Sequence, residues 1–195
     1  MYILRLIFIV LLSFNLPFLS AQDSQIPVNK IIPDTPEDLD KNVLLIPRFD
    51  FMDVEDGAVG KRRQFIVHNN RKAKESNTTL NKTIMKAYPY EYKLISMSEI
   101  GYYRNEGYKY FLDMALMPKQ MKQPKPEALI PAYEKWRTAN KMYSNRNTMW
   151  HHYFYIRDIQ QDDAYISQNF KGGPEVYKGI ARTLKQFKKD IEAEE

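Results

Sequence analysis

The chain has 195 residues, a formal net charge of +5 and no cysteine. That length fits one domain of ordinary size with a core of its own. The lack of cysteine excludes disulfides, thiolate metal sites and thiol nucleophiles. The charge is moderate and mixed in sign along the chain, which gives no footprint for nucleic acid.

The first residues read as an address rather than as fold. Arg5 precedes the apolar run Leu6 to Leu12, and Leu19-Ser20-Ala21 leads into polar Gln22-Asp23. This is the layout of a secretory signal peptide over residues 1–21, with cleavage after Ala21. The apolar run is too short to span a bilayer, so no stable transmembrane segment is expected after processing. The protein is expected to be exported, to a bacterial periplasm or cell surface. Residues 22–41 carry Pro27, Pro33 and Pro36 among acids and read as a flexible polar leader. Residues 42–195 read as a single domain.

Val43 to Ile46 is a continuous apolar run, the pattern of a strand buried on both faces, and Pro47 ends it. Asp50 to Arg63 reads as a loop with acids first and Lys61-Arg62-Arg63 after them. It fits neither a calcium loop nor a phosphate loop. Gln64 to His68 reads as a strand. Asn77, Thr78 or Thr79 then caps a helix from Thr78 to Tyr88, with Leu80, Ile84 and Ala87 on one side. Tyr90 to Met97 reads as the next strand and Ser98 to Gly101 as its exit. Tyr108 to Leu116 alternates cleanly, and Pro118 closes it. Residues 118–148, rich in proline and lysine, form an insertion with a short helix from Ala132 to Tyr143.

The end of the chain organises the rest. Trp150 to Arg157 alternates, Gln160 to Asp163 is turn material, and Ala164 to Ser167 returns as the partner strand. Gly172-Gly173 breaks the chain and Pro174 opens a helix on which Tyr177, Ile180, Leu184, Phe187 and Ile191 share a face. A sheet and a helix with matching apolar faces bury each other. The expected fold is therefore α/β (α+β): a two-layer mixed sheet packed by the Thr78–Tyr88 and Pro174–Ile191 helices.

Chemistry is harder to find. His151 and His152 are adjacent on a strand and cannot reach one ion from its two faces, so no metal site is expected and no cofactor is indicated. No serine has the flanking glycines of a nucleophile elbow. Asp158, Asp162 and Asp163 read as exposed turn acids. The stretch Ile100 to Gly107 reads as a loop that a core does not need. Its Tyr102, Tyr103, Arg104 and Asn105 are the expected contact for a partner protein or a glycan. A hydrolase is the remaining alternative, assembled from His68, His151 or His152 with Asp50 or Asp158.

The order of Val43 to Pro47, a helix ending near Tyr88, Tyr92 to Ser96, Tyr108 to Leu116, the hairpin and the final amphipathic helix resembles the TolB amino-terminal domain and curli-secretion (CsgG-like) proteins. The chain departs from them in lacking a lipid-bearing cysteine and in carrying the 118–148 insertion. The resemblance implies a non-catalytic, protein-binding or scaffolding role in the bacterial envelope, with another envelope protein as partner and no shared catalytic residues.

Overall fold

The computed structural model describes residues 28–54, 57, 59–118, 150–167 and 176–194. The expected signal peptide, the expected 118–148 insertion beyond Pro118, and the expected helix start at Gly172-Gly173-Pro174 lie outside these residues. Among the described residues the strands are β1 (Ile31–Ile32), β2 (Leu44–Pro47), β3 (Tyr92–Ile95), β4 (Tyr110–Pro118), β5 (Trp150–Asp158) and β6 (Asp163–Tyr165). The helices are α1 (Gly60–Ala87), α2 (Ile100–Asn105) and α3 (Val176–Glu194), with 3-10 turns at Leu39–Lys41 and Met97–Glu99.

The strands form one mixed six-stranded sheet in the order β1-β6-β5-β4-β2-β3. β2 runs parallel to both β3 and β4, and β1 runs parallel to β6. The β4–β5 and β5–β6 pairs are antiparallel. All four residues of β2 are buried, as its unbroken apolar run requires of an interior parallel strand. Pro47 belongs to this strand, opposite Ile95.

Alternation along the strands divides two apolar layers. On one face Leu44, Ile46, Tyr110, Leu112, Met114, Phe154 and Ile156 pack with the buried stripes of α1 and α3. On α3 that stripe is Val176, Ile180, Leu184, Phe187 and Ile191, the face its spacing predicts. The opposite face is also covered. Leu45, Phe111 and Ile95 meet Ile159, Ile100, Tyr103 and Tyr108, while Tyr153, Tyr155, Ala164 and Ile166 meet Val28 and Ile31. β4 therefore has no solvent face where its burial is described: Tyr110 to Met114 are all buried, Asp113 included.

Four expectations need correction. The strand expected at Gln64 to His68 and the start of the Asp50–Arg63 loop's basic end are helix, because α1 is a single 28-residue helix. Its buried stripe is Ile66, Asn69, Ala73, Ser76, Leu80, Ile84 and Ala87, a helical period partly disguised by small and polar residues. Second, Thr78 and Thr79 do not cap. Their hydroxyls donate to the carbonyls of Lys74 and Glu75 one turn back, both at 3.0 Å, a local bond that lets threonine sit inside a helix.

Third, the leader joins the fold from Val28 onward. β1 pairs with β6, Leu39 is fully buried, and Asp38 accepts from Lys109 Nζ at 2.9 Å and from the Tyr110 hydroxyl. Partial burial opposes the charge on Asp38, but the bonds from Lys109 and Tyr110 and the lysine's charge outweigh it and hold the carboxyl below its ordinary range. Fourth, Ile100 to Asn105 is the short helix α2, not a loop. A capping box starts the turn before it: Glu99 Oε2 accepts from Ser96 N at 2.6 Å while Ser96 Oγ accepts from Ser98 N. Gly107, at φ +85°, ends α2. Gly107 N bonds to Arg104 O and Tyr108 N to Tyr103 O, the paired bonds of a Schellman stop.

Candidate interaction surface

Two features stand out in the described structure: a wired ionic junction under α2, and an exposed end of α1. The junction begins at Arg157 on β5, whose side chain is only 3 % exposed. Its guanidinium lies 2.9 Å from Asp162 Oδ1 and 3.6 Å from Asp113 Oδ2. Arg104 of α2 reaches the other oxygen of Asp162 at 3.1 Å. The Tyr155 hydroxyl donates to Asp113 Oδ2 at 2.8 Å, and Met114 N donates to Oδ1 at 2.7 Å. Burial pushes the Asp113 carboxyl above its usual range, against the pull of Arg157 and these bonds.

The hairpin turn joins the same junction. Asp158 Oδ1 accepts from Gln160 N and Gln161 N, and Gln160 Nε2 donates to the carbonyls of Arg104 and Tyr108 at 2.8 Å each. Asp158, Asp162 and Asp163 are buried, which corrects their reading as exposed turn acids. A buried charge needs partners: Asp162 has the two arginines, Asp158 Oδ1 has two backbone N–H groups, and Asp163 has Lys30 Nζ at 3.3 Å. The chemistry is that of a cross-brace between hairpin, sheet and α2.

That brace redefines the expected contact residues. Arg104 is committed to Asp162. Tyr103 packs on the Leu45–Phe111 cluster, edge-on to Tyr108 at 5.1 Å, with Lys93 Nζ 4.7 Å from its ring centre. The interaction with Tyr103 raises the Lys93 pKa. Of the four residues, Tyr102, 61 % exposed, and Asn105 remain outward. Tyr103 and Arg104 belong to packing that the loop reading did not allow for.

The exposed end of α1 follows from its length. A 28-residue helix is about 42 Å long, and its buried stripe begins only at Ile66. The first turns extend beyond the core. Val59 is 75 % exposed, Phe65 55 % and Val67 57 %. Lys61, Arg62 and Arg63 fill the first turn with no acid beside them in that turn. Cations at a helix N-terminus oppose the macrodipole by about 0.3–1 kcal/mol each, so this arrangement is not one that helix stability selects.

The preceding segment is pinned alongside. Asn77 donates to Phe49 O at 2.9 Å and accepts from Phe49 N at 2.8 Å. Asn70 does the same to Met52, at 2.8 and 2.7 Å. Seven helical residues rise about 10.5 Å and three extended residues span about 10 Å, so the two clamps are in register. The clamp holds Phe51, Met52 and Val54, all exposed, beside the first half of α1. On the helix's outward stripe Gly60, Arg63, Gln64, Val67, His68 and Arg71 line an open depression of about 460 Å³. Arg71 Nη2 lies 3.4 Å from His68 Nδ1.

The remaining sequence candidates are not brought together. His68 is exposed on α1, and Asp50 faces Arg48 at 4.0 Å. Neither bonds to Asp158 among the described residues, and the side chains of His151 and His152 on β5 lie outside them. Among the described residues no three His, Asp or Glu side chains are placed to hold a metal ion, and no helix is long and apolar enough to cross a membrane. No family model, curated protein or solved structure matches this chain.

Proposed function

We propose that this protein is an exported, non-catalytic module of the bacterial envelope that binds another envelope protein through the exposed end of α1 and the segment clamped to it. The observation that carries this reading is the run of exposed apolar and cationic side chains along the chain from Phe51 to Arg71. Phe51, Met52, Val54, Val59, Phe65 and Val67 are exposed large apolar residues within a span of 17 residues, and Lys61, Arg63 and Arg71 stand among them. Exposed apolar groups gathered at one place mark contact surfaces more often than single ones do. The envelope setting rests on the signal-peptide pattern and on the resemblance to TolB and CsgG-like proteins. A glycan site at Tyr102 has less behind it, because Tyr103 and Arg104 are engaged within the fold.

A photo-activated cross-linker at Val59, in the full chain in its own cell envelope, tests the proposal. The control position is Met85, also exposed, about 39 Å away along the same helix. The expected result is a discrete protein adduct from position 59 and none from position 85. No adduct at 59, or the same adducts at both, would contradict the proposal.

A further inference from the structure

The outward stripe of α1 also carries information about what it meets. From Gly60 to Lys74 the helix holds Lys61, Arg62, Arg63, Arg71, Lys72 and Lys74, and its first acid is Glu75. Lys61 and Arg63 make no ion pair among the described residues, whereas farther along Lys72 has Glu75 at 3.5 Å. Arg63 and Arg71 stand eight residues apart, about 12 Å along the axis, with Val67 between them on the same stripe. A long side chain in a helix leans toward the N-terminus, which brings the Arg71 guanidinium over His68. The depression is thus lined by cation, apolar side chain and cation in turn.

We infer that this stripe docks an acidic segment of the partner, with carboxylates spaced to meet Arg63 and Arg71 and an apolar side chain to meet Val67. The inference rests on the protein-binding reading above and names the chemistry of that partner. Charge complementarity selects the occupant: arginine forks pair with carboxylates in two parallel hydrogen bonds. An anionic bilayer fits less well. The clamped segment beside it carries the acids Asp50 and Asp53, which a negative surface repels.

The test reads the Val59 cross-link in two further ways. The double variant Arg63→Glu, Arg71→Glu should lower adduct yield at least tenfold, while Lys189→Glu on the exposed side of α3 should leave it within twofold. Mass spectrometry of the adduct should locate the cross-link in a partner segment holding two or more Asp or Glu. Rescue by a partner variant in which those acids become lysine would complete the case. A protein adduct on a neutral or basic segment, or one indifferent to the double charge reversal, overturns the inference and leaves the binding reading standing. An adduct with phospholipid, or no adduct at all, overturns both.

Discussion

Asp162 is the only non-glycine residue with positive φ among the described residues, at +59°. Aspartate tolerates that conformation better than most side chains because its short carboxylate bonds locally. Here the carboxylate is gripped on one side by Arg157 and on the other by Arg104. The backbone strain and the ionic brace therefore meet at one residue, and two substitutions separate them. Asp162→Ala loses both ion pairs and keeps an unfavourable φ; Asp162→Gly loses the same pairs but relieves the backbone. Urea unfolding should find both variants less stable than wild type, with glycine about 1 kcal/mol better than alanine. Equal stabilities would mean that the turn relaxes and the strain is not held in place. None of this was legible beforehand. Asp158, Asp162 and Asp163 look like solvated turn acids in a sequence, and their partners, Arg104 and Arg157 for Asp162, turn N–H groups for Asp158 and Lys30 for Asp163, are not visible there.

At the scale of elements, α1 shows which signals carried and which competed. The final helix is readable because its apolar residues fall on one clean period, and the β5–β6 hairpin because polar Gln160 to Asp163 separates two strand-like runs. α1 was not, since Ile66-Val67 imitates a strand and its buried stripe runs through Asn69, Ala73 and Ser76. The Thr78-Thr79 pair looks like a start, but its hydroxyls bond backward within the helix. For α2 the sequence does carry signals: Ser96-Met97-Ser98-Glu99 is a capping box and Asn105-Glu106-Gly107 is a helix stop. The Asn70 and Asn77 clamps had a signal too, two amides seven residues apart on one flank of a helix. Asn77→Ala should cost about 1–3 kcal/mol by leaving the Phe49 backbone groups without their partner. Asn70→Ala should free the Met52–Val54 segment, seen as faster cleavage there in limited proteolysis. An unchanged cleavage pattern would show that the segment is held by other contacts.

Across the molecule, both faces of the sheet are spent on packing, and the ionic brace ties the hairpin to α2. Among the described residues, what is left over is the end of α1, where apolar and basic residues accumulate against the preferences of an isolated helix. The fold class follows from periodicity. The contact surface does not, because it depends on a helix longer than the core beneath it. Residues 65 to 67 place the central claim at its narrowest point: Ile66 is buried between two exposed neighbours, Phe65 and Val67. Ile66→Ala should destabilise the protein by about 2–5 kcal/mol, as a core truncation does. The decisive measurement is the yield of the Val59 adduct in the double variant Phe65→Ser, Val67→Ser, compared at equal melting temperature with wild type. The account predicts at least a tenfold loss of adduct with folding intact; full adduct yield, or a loss of stability like that of Ile66→Ala, would contradict it.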